Sequence, residues 1–110
     1  MEGFVKGDII VIEFPFSDLK NVKRRPALVV KIPKGKDMIV AQITGSSYEL
    51  SVEIAIHGSD FKQGSLKRDS FVRIDKIASI EKSLIKYKIG SLKQDKLNYI
   101  IDKICFFLKS

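Results

Sequence analysis

Up to Gly90 the apolar residues of this 110-residue chain fall in short strand-length runs rich in Val and Ile, the earlier ones nearly continuous and the later ones alternating; beyond Gly90 they recur with the period of a helix. A chain patterned in this way builds a sheet first and then lays one helix on it. The first run, "DIIVIEF" (8–14), follows Gly7 and reads as a strand. "PFSDLKN" then brings Pro15, Ser17, Asp18 and Asn21, all turn formers, so a loop runs on toward Arg25. Pro26 opens a second strand, "PALVVKI", at a position where a missing N–H is tolerated. After the tight connection "PKGKD" (33–37), "MIVAQI" (38–43) is apolar nearly throughout, which predicts a strand buried on both faces.

"ELSVEIAI" (49–56) alternates, with Leu50, Val52, Ile54 and Ile56 on one side and Ser51, Glu53 and Ala55 on the other. Residues 57–69 carry two glycines and three cations and read as a long surface loop. "SFVRIDKIASI" (70–80) and "IKYKI" (85–89) complete the strands. In the helix, Leu97, Ile100, Ile101, Ile104, Cys105 and Leu108 form one stripe, and Ser91 with Gln94 has the spacing of a capping box. The expectation is a mainly β fold with a C-terminal helix, a small and strongly curved sheet or barrel with the helix over one opening. The length suits one domain over 1–110 and leaves little room for a second.

Twenty Lys and Arg against 13 Asp and Glu give a net charge of +7. That favours an anionic partner: nucleic acid, an acidic protein or a membrane surface. A basic surface that serves only solubility is the plain alternative. Cys105 is the only cysteine and His57 the only histidine, so no intrachain disulfide can form and a zinc site is disfavoured. A cytosolic setting is the simplest reading. The start, "MEGFVKGDII", lacks the order of a signal peptide, and no apolar run approaches the ~20 residues of a membrane helix.

Three stretches carry chemistry. "KNVKRRPALVVKI" sets Lys23, Arg24 and Arg25 at the mouth of a core strand. "AQITGSS" ends another strand in hydroxyls, Thr44 and Ser46 among them. "SFVRID" puts Arg73 and Asp75 two apart, on one face of a strand. Where these strand ends converge they offer guanidinium groups, hydroxyls and a carboxylate, which together suit a phosphate with a proton acceptor beside it. Each has a plainer reading taken singly: solvated hairpin cations, hydroxyls bonded to their own turn, a surface ion pair worth little. His57 reads as an ordinary loop residue. The cations Lys62, Lys67 and Arg68 read as a solubility feature, and Phe14, Phe16, Phe71 and Tyr48 as core or rim.

The stretches "GDIIVIEFPFSDLKNVKRRPALVV", "IVAQITGSS", "GSLKRDSFVRIDKIASIEKSL" and "IGSLKQDKLNYIIDKICFFL", in this order, resemble the MazF/PemK family of toxins from toxin–antitoxin pairs. The resemblance spans nearly the whole chain. It implies a compact SH3-like barrel, a homodimer, and a ribonuclease that cuts single-stranded RNA at short sequences without metal or cofactor. It also implies a small antitoxin whose acidic or apolar tail covers the RNA groove. By position, Arg25 matches the family's catalytic arginine, Thr44 its active-site threonine, and Arg73 with Asp75 a catalytic pair of the PemK branch. Asp18, Lys23, Arg24, Ser46, Lys67, Arg68 and Ser70 would line the RNA path. The first loop departs from the family in holding no histidine, and Asp18 is its nearest carboxylate, so the general base is either Asp75 or Asp18. Two other readings stand beside the ribonuclease: a degenerate basic RNA- or protein-binding barrel, and a gyrase poison on the same fold. The second of these relies on a C-terminal tryptophan, and this chain has none.

Overall fold

The computed structural model describes residues 3–14 and 23–110. Among these residues seven strands form one antiparallel sheet: β1 (Asp8–Phe14), β2 (Lys23–Lys31), β3 (Asp37–Thr44), β4 (Glu53–Ile56), β5 (Phe61–Gly64), β6 (Ser70–Glu81) and β7 (Ile85–Leu92). Their order across the sheet is β4-β6-β3-β2-β1-β7-β5, and a helix, α1 (Gln94–Lys109), follows the last strand. The near-equal extents of 32 × 31 × 31 Å mean that the sheet coils on itself instead of lying flat. Register shifts within the β1–β7, β2–β3, β3–β6 and β5–β7 pairs supply the bending, because each inserts extra residues on one strand.

Coiling gives the sheet two apolar faces. Ile9, Leu28, Ala41, Ile43 and Val72 meet Leu97, Ile100 and Ile104 of α1 in the larger core. Ile10, Ile12, Ala27, Val29, Met38 and Val40 point the other way into a second. The near-continuous apolar run of β3 is explained by this, since Met38 and Val40 serve one core and Ala41 and Ile43 the other. Among the described residues no helix is long and apolar enough to cross a membrane.

Four boundaries differ from the sequence expectation, each for a physical reason. Strand β2 starts at Lys23, so Arg24 and Arg25 lie in the ladder, not in a loop, and Arg24 pairs with Glu13 across it at 3.4 Å. Strand β4 is confined to 53–56 because the Glu53 carboxylate accepts hydrogen bonds from Ser47 Oγ and the Tyr48 N–H, which curls the preceding residues into a turn. The expected loop 57–69 contains β5, which pairs with β7. The helix starts at Gln94 and not at a Ser91 cap: Ser91 belongs to β7 and donates its hydroxyl to the buried Asp8 at 2.7 Å. Leu97, Ile100 and Ile104 of the helical stripe are buried, whereas Cys105 and Leu108 extend past the core and stay exposed.

Strands β5 and β7 approach most closely at Gly64 and Gly90. A Cβ at Gly64 would overlap the Ile89 carbonyl, and one at Gly90 the Gln63 carbonyl. Gly64 also has a φ of +72°, which side chains other than glycine's adopt at a cost. Gly64→Ala is expected to destabilise the fold by about 2–4 kcal/mol. Denaturant unfolding checks this, and a change within about 0.5 kcal/mol would contradict so tight a crossing.

Candidate functional site

The end of β2 carries Arg25, and strand pairing decides what stands beside it. Arg25 lies opposite Ile12 of β1. The β2–β3 register sets Ala27 against Gln42, and continued by two residues it brings Arg25 opposite Thr44. Thr44 in turn lies opposite Phe71 of β6. Side chains directly across a ladder share a face, with Cβ atoms roughly 5 Å apart. One row, Ile12–Arg25–Thr44–Phe71, therefore crosses four strands. Arg25 Nε is buried and has no hydrogen-bond partner among the described residues. Thr44 Oγ1 accepts from the Ser46 N–H and donates to the Ser46 carbonyl, both at 3.3 Å, so Ser46 shapes the turn that fixes the threonine.

Arg73 and Asp75 lie one step further along the same face of β6. The β3–β6 register jumps from Ile43↔Val72 to Ala41↔Ile77, so Arg73, Ile74, Asp75 and Lys76 all oppose the single Gln42. In this bulge Ile74 faces the larger core, which leaves Arg73 and Asp75 together on the Thr44 side. The pair is bidentate, with Arg73 Nε to Asp75 Oδ1 at 2.8 Å and Nη2 to Oδ2 at 2.7 Å. Arg73 holds the Asp75 carboxyl below the usual carboxylate range, against the opposing effect of burial. Asp75 raises the already high pKa of Arg73 further, with Glu53 adding to the effect from β4. Glu53 is itself lowered, first by the hydrogen bond from the Tyr48 N–H.

Arg25 and Thr44 also line an open cleft of about 710 Å³ on the other side of the strand ends. Its floor is Pro26, Ile43, Leu66 and Ile89, of which Ile43, Leu66 and Ile89 pack on the larger core. Arg24, Lys67 and Arg68 add positive charge, and the buried Ser70 adds a hydroxyl. Of the residues expected from sequence, Arg24, Arg25, Thr44, Lys67, Arg68 and Ser70 line this cleft. Arg73 and Asp75 share the Arg25–Thr44 sheet face but do not line it, and Ser46 stands in the turn beyond. Lys23 is the first residue of β2, and Asp18 lies outside the described residues. Sequence reasoning missed Tyr87, Gly45 and Leu66. Tyr87 falls in phase with Ile85 and Ile89 and alternates with Lys86 and Lys88 like any apolar strand position, and only the cross-strand register reveals that it stands at the cleft.

A family model described as the PemK-like, MazF-like toxin of type II toxin–antitoxin systems matches residues 5–108. Among solved structures the chain is similar to the Mycobacterium tuberculosis toxin MazF-mt6, with 21% identity, TM-score 0.69, and 88% of this chain and 91% of that one covered. It is similar also to an endoribonuclease in complex with its cognate antitoxin from Mycobacterial species, with 15% identity, TM-score 0.77, and coverage of 97% and 96%. A third likeness is to an endoribonuclease from Mycobacterial species, with 18% identity, TM-score 0.74, and coverage of 99% and 94%. At these identities the likeness establishes the fold. No curated protein matches the chain.

The depressed carboxylates at Glu53 and Asp75 make stability depend on acid. A group whose folded pKa lies below its unfolded one stabilises the fold above the unfolded value, and that contribution is lost as pH falls through the folded value. The usual values are 4.5 for Glu53 and 3.8 for Asp75, so the loss falls at and below this range. Glu53→Gln should lower the thermal midpoint at pH 7, and the gap from the wild type should narrow as pH drops from 6 to 3. Thermal melts across that range check this, and a gap independent of pH would contradict it.

Proposed function

Because this chain belongs to the PemK-like, MazF-like toxins of type II toxin–antitoxin systems, we propose that it is an endoribonuclease that cuts single-stranded RNA at short sequences, with Arg25 and Thr44 at the reacting phosphate. The observation that carries the reading is the Arg25 guanidinium. It has a buried Nε without a partner among the described residues, beside Thr44 and at a cleft rimmed by further cations. A buried donor left unpaired is costly, and a phosphate oxygen satisfies it with a charge-assisted bond.

In the proposed reaction the ribose 2′-oxygen attacks the adjacent phosphorus and the 5′-oxygen of the next nucleotide leaves. Arg25 stabilises the charge that develops on the phosphate, and Thr44 orients it. Asp75 takes the 2′-hydroxyl proton. Arg73 keeps Asp75 ionised at neutral pH, which makes it available though weakly basic. Arg73 clamps the phosphate and does not act as the acid, because its pKa is raised above an already high value. Water supplies the proton to the leaving oxygen.

The reading assigns no metal and no cofactor. It places the protein in the cytoplasm as a homodimer and gives it a cognate antitoxin, whose acidic or apolar segment would occupy the basic cleft. The toxin–antitoxin description of the family and the antitoxin complex among the similar structures support this partner.

Incubation with a long single-stranded RNA, followed by mapping of cut ends, tests the proposal. Cutting should persist in excess EDTA. Arg25→Ala should slow it ~100-fold or more, as for loss of one transition-state donor, while the thermal midpoint hardly moves. Intact RNA with the wild-type protein, or full activity in the Arg25 variant, would refute it.

A further inference from the structure

The cleft beside Arg25 and Thr44 is larger than a phosphate needs, and at about 710 Å³ it has the size of a small-molecule site. Its floor is apolar, which a phosphate would leave unused. Two of its walls are flat groups. Pro26 and Tyr87 both lie opposite Val11, one from β2 and one from β7, so the three side chains share a face in one row. Tyr87 stands at the cleft end of that row, 54% exposed.

The second flat group is the Arg68 guanidinium. A Cβ at Gly45 would stand 2.9 Å from Arg68 Nη2, 3.1 Å from Nε and 3.2 Å from Cζ. With Nη2 and Nε nearer than Cζ, the guanidinium packs against residue 45 through its Nε–Nη2 edge. Arg68 therefore rests against the turn that leaves Thr44, in space that exists only because position 45 has no side chain. Ser70 Oγ donates to the Arg68 carbonyl at 3.2 Å and holds the backbone of this loop in place.

An apolar floor, an exposed aromatic ring and a guanidinium at the rim suit a flat heteroaromatic ligand with hydrogen-bonding edges. We propose that the cleft is a nucleobase subsite, in which Tyr87 stacks on the base adjoining the phosphate and Arg68, seated over Gly45, hydrogen-bonds its edge. Stacking accepts any base, whereas the guanidinium favours bases that present acceptors, so Arg68 is the specificity-determining residue of the pair. The inference rests on the reading of Arg25 and Thr44 as the phosphate site.

Titration calorimetry with ribose 5-phosphate and the four nucleoside 5′-monophosphates separates the base from the phosphate. The wild type should bind at least one nucleotide about tenfold or more tightly than ribose 5-phosphate. Tyr87→Ala and Arg68→Ala should each lose most of that gain, measured against the same variant's binding of ribose 5-phosphate, while Tyr87→Phe keeps it. Gly45→Ala should behave like Arg68→Ala with an unchanged thermal midpoint, because what must move is the free end of a flexible side chain. Equal binding of ribose 5-phosphate and all four nucleotides, or a gain that survives both alanine substitutions, would overturn the subsite. RNA cutting measured in parallel keeps the two readings apart. A base gain without cutting supports the subsite and refutes the ribonuclease, and cutting without a base gain does the reverse.

Discussion

Strand β1 is hydrogen-bonded along both of its edges, to β2 on one side and β7 on the other, and the site depends on that double pairing. Its first residue, Asp8, is fully buried, and it accepts hydrogen bonds from the Val5 N–H at 2.9 Å and Ser91 Oγ at 2.7 Å, with Lys88 Nζ at 3.4 Å. A carboxylate buried without partners would cost several kcal/mol, so these contacts fix the register of the first strand against the last. With β7 held there, β5 can pair with its outer edge, and the loop 65–69 that follows reaches the cleft. The same register sets Tyr87 in line with Val11 and Pro26.

The other half of the site is a product of bending. Thr44 ends β3 where the sheet turns, and the bulge in β6 lets both Arg73 and Asp75 remain on the Thr44 face while Ile74 stays in the core. Bulges commonly re-aim side chains in this way. The candidate site is thereby divided between two surfaces that meet at the Arg25–Thr44 row. The ion-paired carboxylate lies on one side of it, and the cleft with its cations and apolar floor lies on the other.

Short apolar runs located β1 and β3, alternation located β6, and the change of period after Gly90 located the helix, because those elements bury one or two faces against large cores. The same patterning missed β5. Its strand role comes from two glycines that let it approach β7, and not from alternation. The capping-box spacing of Ser91 and Gln94 misled for a similar reason: the hydroxyl serves a carboxylate 83 residues away, which no local rule can see. At the site, the pairing of Arg73 with Asp75 could be read from their spacing of two. That Arg25 and Thr44 meet is a matter of register, and the seat of Arg68 over Gly45 is a matter of tertiary contact.

The central claim is that the ribose 2′-oxygen is the nucleophile and that the protein's own side chains activate it. Chemical analysis of the new RNA ends tests this most directly, together with a substrate carrying a single 2′-deoxyribose at the mapped cut. The account predicts a 2′,3′-cyclic phosphate on one fragment and a 5′-hydroxyl on the other, with no cutting of the 2′-deoxy substrate although it still binds. A 5′-phosphate with a 3′-hydroxyl, or cleavage at the deoxy position, would contradict it.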